Sequence, residues 1–418
     1  MTKIVWIKHA SQLATLASST KGPRTKEAMS DLAIIEDGSV WIEDGVIQAV
    51  GTTAELEEKY GAITDVEIID ATGRLVTPGL VDPHTHVVYG GSREQEFEQR
   101  LQGATYMAIM NAGGGIHASM RMTREATPEQ LVAQTTKRLA SFLAHGVTTV
   151  ESKSGYGMDL ATELKQLQVM QTLNESQPVE LVPTFMGAHA VPTAYKGRED
   201  EFVEHIITEM LPVVAEQNLA VFNDVFCEKD VYTPAQAERI LQAGKALGLT
   251  PKIHADEIAP YGGAELAAKV GAISAEHLLK ASDAGIEAMA EAGVIACLLP
   301  ATALYLREEA ARGRYMIDHG VAVAISTDCN PGSSPTTSMP LVMNLACISM
   351  RLTPAEALTA ATYNAACAVG LQDKIGSLEV GKQADVVIWD APSYQAIQYF
   401  FGVNHVAQVI KKGQKVVG

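Results

Sequence analysis

Cysteine is scarce and scattered in this 418-residue chain: Cys227, Cys297, Cys329, Cys347 and Cys367 are odd in number and never form a C-x-x-C pair. That scatter argues against a disulfide framework and against a thiolate zinc site. Any bound metal has to be held by histidine and carboxylate. Positive charge is short as well, with 32 Lys and Arg against 49 Asp and Glu and a formal net charge of −17. A field of that sign repels phosphate backbones and anionic lipid, so the expected partners include neither nucleic acid nor membrane. No apolar run approaches the ~18 residues of a spanning helix, and charges interrupt the N-terminal stretch where a secretory signal would keep an apolar core. The cytoplasm is the expected location. Repeats of fixed period are missing too, which sets aside solenoids and arrays.

Hydrophobic residues make up 47% of the sequence and charged ones 19%, enough to bury a sizeable core and to rule out general disorder. The length suits one large domain of ~250–300 residues with a smaller one beside it. Texture places the boundaries. Residues 30–77 are short β-rich pieces between turns, and β texture returns after Gly376 in GSLEVGKQADVVIWD and HVAQVIKKGQKVVG. Between them, apolar strands alternate with helical stretches. The expected organisation is a small β domain built from residues 1–77 with 377–418, and a large domain over 78–376.

Within the large domain, Thr127-Pro128-Glu129-Gln130, Thr233-Pro234-Ala235-Gln236 and Thr353-Pro354-Ala355-Glu356 each set Thr at an N-cap, Pro at the first helical position and Gln or Glu at N3. This is a capping-box arrangement, and it predicts three helix starts. The first helix carries Leu131, Leu139, Phe142 and Leu143 on one face, stops at Gly146 and passes directly into the β-branched run from Val147. Apolar segments at 75–86, 146–152, 180–189, 221–230, 251–258, 273–278, 294–301 and 321–331 make eight candidate strands. The expected fold is α/β: a (β/α)8 TIM-like barrel with a second, smaller β-sandwich domain from both chain termini, an open doubly wound sheet being the alternative. Neither GxGxxG nor GxxxxGK[ST] follows the first strand, which removes the usual nucleotide reading of an open sheet.

Barrel chemistry sits where strands end at their C-terminal tips. His84 and His86 close the first apolar run, His254 the fifth, His277 the sixth and Asp328 the eighth. Two residues apart on a strand, His84 and His86 point to one side. An isolated H-x-H is as easily a pair of core or solvated histidines, but four strand ends delivering candidate ligands to one rim favour a catalytic metal site. Arg93, nine residues after His84, offers a fork for a carboxylate, or else pairs with Glu94, Glu96 or Glu98 at the surface. Tyr156 between two glycines and His189 after the third run read equally well as turn and loop residues. Gly113, Gly114 and Gly115 read as a flexible loop or as a lid that brings His117 over the site.

The segments PGLVDPHTH, HADE, EH and STDCNPG resemble the amidohydrolase superfamily of metal-dependent hydrolases, and GSLEVGKQADVVIWD is similar to its returning chain. A closer resemblance, through VDPHTHVVYGGSREQEFEQRLQGATYMAIMNAGGGI, ESKSGYG, FMGAHAVP, HADEI and STDCNPGSSP, is to the imidazolonepropionase family within it. That resemblance implies hydrolytic ring opening of 4-imidazolone-5-propanoate in histidine degradation. It implies one zinc or iron ion per chain on His84, His86, His254 and Asp328, with substrate held by Arg93, Tyr156, His189, Glu257, Asn330, Gly332 and Ser333. Many superfamily members hold two metals through a modified lysine after the fourth strand, and Lys229 lies near that end. The residues suit the chemistry: Glu257, three after His254, can take and return a proton, His277 can hydrogen-bond the attacked group, and Asp328 can both ligate and orient water. The expected partner is the small-molecule substrate, with a homodimer left open. A ring deaminase of the same superfamily is the alternative enzyme, and a catalytically silent barrel acting in assembly is the non-enzymatic one.

Overall fold

The structure, a computed structural model, describes residues 3–19, 21–104, 109 and 113–418. The three capping boxes form as their sequences require. Thr127, Thr233 and Thr353 accept the N–H of Gln130, Gln236 and Glu356, and helices Pro128–Ala144, Pro234–Ala246 and Pro354–Ala360 start there. The first of them buries Leu131, Leu139, Phe142 and Leu143. It ends into Gly146 at φ 83°, where an added Cβ would meet Val387 and Val406 at 3.3 Å, so glycine both turns the chain and admits the neighbouring strands.

The head of the chain forms β1 (Ile4–Ala14), β2 (Ile34–Glu43), β3 (Val46–Thr52), β4 (Glu67–Asp70) and β5 (Leu75–Pro78). Eight strands then alternate with helices: β6 (Leu80–Thr85), β7 (Val147–Lys153), β8 (Glu180–Ala188), β9 (Phe222–Cys227), β10 (Thr250–Ala255), β11 (Ser274–His277), β12 (Ile295–Leu298) and β13 (Val323–Ile325). The tail adds β14 (Val386–Trp389), β15 (Val406–Lys411) and β16 (Gln414–Val417).

Strands β6 to β13 lie side by side in chain order and pair in parallel throughout. The two outer members meet just beyond their ends, where the His86 N–H donates to the Cys329 carbonyl at 2.9 Å and the Ser326 hydroxyl to the His84 carbonyl. This is the eight-stranded parallel barrel expected from the alternation. Its strands are buried along almost their whole length, because helices cover their outer faces.

Head and tail join through β5 and β14, antiparallel with Val76 opposite Ile388. They form one mixed sheet in the order β16-β15-β14-β5-β1-β2-β3, with β4 also on β1. The expected sandwich is therefore one continuous sheet. β1 breaks register between Ile7 and Ala10, with His9 at φ 61°. Val5, Val40 and Ile47 from the head pack in one core with Val386, Ile388 and Ile410 from the tail. No helix among the described residues is long and apolar enough to cross a membrane.

Candidate active site

The barrel's alternation delivers the expected ligands to one point. His84 on β6, His86 one residue beyond it and His254 on β10 place ligand atoms within 4.8 Å of one another. Asp328 Oδ1 lies 3.6 Å from His84 Nε2 and 3.8 Å from His86 Nε2, while its Oδ2 accepts the Thr302 hydroxyl at 2.6 Å. His277 needs a second device. Alternation on β11 turns Glu276 inward and would turn His277 outward, but His277 and Leu278 sit at φ 70° and 58°. That left-handed pair swings the imidazole to 5.2 Å from the His254 ring.

Both nitrogens of His84, with His86 Nδ1, His254 Nε2 and His277 Nδ1, are buried without a hydrogen-bond partner. Unpaired polar atoms in a core are costly. Burial pushes His84 and His86 well below the ordinary histidine range, helped by neighbouring imidazoles and Lys153, so they present lone pairs. Neutral imidazoles beside a carboxylate fit a borderline divalent ion.

Above this cluster opens a cavity of about 560 Å³ lined by His86, Arg93, Tyr156, His189, His254, Glu257, His277, Asp328, Asn330, Gly332 and Ser333. His84 lies beneath them. Glu257 Oε1 is 3.5 Å from His277 Nδ1, and burial, with Asp328 and Glu228 nearby, pushes its carboxyl up to about 8. Burial likewise moves Asp328 to about 6. His189 stacks on His86 at 4.9 Å. Its Nδ1 donates to the Gly155 carbonyl at 3.0 Å, which leaves Nε2 as an acceptor. Burial and the neighbouring His254 push it down to about 4, although it keeps a partly exposed edge. Tyr156 is buried 5.9 Å from the His86 ring, on a turn held by the Glu163 carboxylate, which accepts the N–H groups of Gly155, Gly157 and Met158.

Arg93 combines the two readings open to it. Its Nε and Nη2 donate to Glu96 Oε2 at 2.9 and 2.8 Å, yet the pair lines the cavity. Nη1 faces Gly332, where any Cβ would come within 2.4 Å of it. Asn330 Oδ1 shapes that loop by accepting the N–H groups of Gly332 and Ser333, both at 2.8 Å.

Residues 75–416 match the model of the amidohydrolase family. The chain belongs to the amidohydrolase family. It is 63% identical over 418 residues to the imidazolonepropionase of Brevibacillus brevis, covering 100% of this chain and 99% of that one. It is 60% identical over 414 residues to the imidazolonepropionase of Geobacillus kaustophilus, covering 99% and 98%. Among solved structures it resembles a zinc-bound adenosine deaminase from Xanthomonas campestris, with TM-score 0.70, 21% identity and coverage of 99% and 92%. It also resembles the Escherichia coli guanine deaminase, with TM-score 0.69, 17% identity and coverage of 100% and 99%. At those identities the structures speak for the fold alone. Family and donor set together support a metal ion, which the histidine cluster could hold.

Two alternatives left open by the sequence are not supported. Lys229 is exposed on the turn after β9, and the buried charged residue of that strand is Asp224. His117 is half-buried on helix Ile116–Glu125 and is absent from the cavity lining. Gly115 is tied to the site instead, its N–H donating to Glu96 Oε1 at 3.1 Å. Sequence reasoning named Glu96 only as a surface partner of Arg93, and it missed Thr302 and a layer of charge beneath the histidines: Glu151, Lys153, Asp224, Lys252 and Glu276, all fully buried. The signal was visible in VTTVESK, where Glu and Lys two apart are the charged residues of an otherwise uncharged strand.

Proposed function

We infer that the chain is an imidazolonepropionase, hydrolysing 4-imidazolone-5-propanoate to N-formimidoyl-L-glutamate. The observation that carries this is Arg93 opening into the same cavity as the histidine cluster, in a chain 63% identical along its length to a protein of that name. In the reaction water adds to the ring carbonyl carbon, the bond from that carbon to ring nitrogen breaks, and the nitrogen leaves with a proton. The carbonyl becomes the new carboxylate.

His84, His86, His254 and Asp328 would hold one zinc or iron ion, which as a Lewis acid lowers the pKa of bound water from 15.7 toward ~7. Glu257, which lines the cavity beside His277, is suited to take a proton from water and pass it to the leaving nitrogen. His277, held beside Glu257, is placed to hydrogen-bond the oxygen that gains charge. Arg93, Tyr156 and the Asn330–Ser333 loop would hold the propanoate, with the Arg93 fork matched to its carboxylate. His189 Nε2, free to accept, orients a ring N–H. A cytoplasmic chain acting on a small molecule fits this reading.

The test supplies imidazolone propanoate generated in place, because it is labile, and looks for formimidoyl-glutamate. Cytosine and guanine serve as controls. Ammonia release from either, without ring opening of the imidazolone, would support the deaminase alternative, which gives Arg93 no anionic partner.

A further inference from the structure

The barrel strands that carry rim ligands also carry inward residues one layer deeper, and none of these enters the reaction derived above. Lys252 lies two residues before His254 on β10, while β7, β9 and β11 contribute Glu151 with Lys153, Asp224 and Glu276. Two groups of ligand atoms result, each packed within 4.8 Å: His84, His86 and His254 above, and His84, Asp224, His254 and Glu276 below.

His84 and His254 belong to both groups, with one ring nitrogen on each side. His84 Nε2 is 3.6 Å from Asp328 above and Nδ1 is 4.0 Å from Glu276 Oε2 below. His254 Nδ1 is 3.0 Å from Asp224 Oδ1, while its Nε2 is unpartnered. Glu276 Oε2 is buried and has no hydrogen-bond partner either. By donor chemistry alone the lower group would hold a cation as well as the upper one.

Ammonium groups separate the two. Lys153 Nζ lies 2.8 Å from Asp224 Oδ2 and 2.8 Å from Glu151 Oε1. Lys252 Nζ lies 2.7 Å from Ser274 Oγ and 3.3 Å from Glu276 Oε1. We propose that the buried ammonium of Lys153, backed by that of Lys252, is the built-in cation of the lower cage: it positions His254 through Asp224 and holds the centre to one metal ion.

The proposal deepens the metal-site reading and rests on it. With one Asp224 oxygen on Lys153, the other receives His254 Nδ1–H, so that Nε2 is aimed at the upper position. A second metal ion below would share a dry, weakly screened space with the ammonium of Lys153. Lys153 is thus a positioning residue, two contacts away from the ligand His254.

The test compares the wild-type holoprotein with Lys153→Met and with Lys153→Met/Glu151→Gln, which removes one ammonium and one carboxylate together and keeps the buried charge balanced. Each is dialysed against excess zinc, counted for metal per chain and, after loading with cobalt(II), read by its visible spectrum, with thermal melting to confirm folding. The wild type should saturate at one zinc. The methionine variants should take up a second equivalent and shift the cobalt spectrum, because His254 is re-aimed. A folded methionine variant that stops at one zinc with an unchanged cobalt spectrum overturns the proposal, as does a wild type that binds two. If neither variant folds, wild-type saturation at high zinc decides between one ion, which sustains the proposal, and two, which ends it. A wild type that binds no metal would instead defeat the metal-site reading beneath it.

Discussion

Arg93 shows how one side chain can be both tethered and available. Glu96 takes its Nε and Nη2 and fixes the guanidinium plane, while Nη1 is left facing Gly332. Removing the fork should cost a charge-assisted contact of about 1.5–3 kcal/mol, so Arg93→Ala is expected to raise KM roughly ten- to hundred-fold with a smaller effect on kcat. Glu96→Gln keeps the shape, loses the charge, and should raise KM less. Unchanged saturation in both would return the pair to a structural role. If Glu257 is the proton carrier proposed above, Glu257→Gln should keep metal content and cut turnover by roughly 10²–10⁴-fold, and a near-normal rate would remove it from that role. Arg93 was legible through the resemblance of its segment to the family; read alone, it was as well placed to pair with Glu94, Glu96 or Glu98 at the surface. Glu96 was hidden among Glu94 and Glu98, since only the fold tells which of three helix carboxylates turns inward.

Elements were legible where a local rule decides them. The three Thr-Pro capping boxes start helices at the expected residues, and Thr233→Ala should cost about 1 kcal/mol, readable as a lower denaturation midpoint with activity per folded molecule unchanged. His277 shows a rule giving way: strict alternation would face it away from the site, and a positive φ turns it back, which no periodicity reveals. The join of head and tail was legible as returning β texture, but its form as one sheet was not, because the break in β1 comes from His9 at φ 61° rather than from a glycine or proline. The Asn330–Ser333 loop carries its own prediction. In Gly332→Ala the new methyl would displace Arg93 Nη1 from 2.4 Å, so KM should rise while the metal content stays intact.

For the whole molecule, the formal charge of −17 makes an anionic substrate dependent on local cations, among them Arg93 and Arg100, which line the cavity. Apart from Glu151, two residues before Lys153 on the same strand, the partners of the deeper lysines were unreadable because Asp224 and Glu276 come from other strands. Acid should act through the histidine cluster. His84, His86 and His277 have folded pKa values held well below 6.5 by burial, whereas the unfolded chain charges near 6.5. The unfolded state therefore binds more protons, and stability is lost as pH falls below about 6.5. Melting temperature measured between pH 8 and pH 5 should drop on the acid side, and a flat profile would show that the cluster is not buried neutral. Chelation should abolish turnover without unfolding the chain, and zinc or iron should restore it. The central claim is met most directly by giving the purified metal-loaded protein freshly generated imidazolone propanoate and following the products. The account predicts formimidoyl-glutamate, formed only with metal present and lost in Glu257→Gln. Intact imidazolone under those conditions, or formimidoyl-glutamate formed equally well by chelated protein, would contradict it.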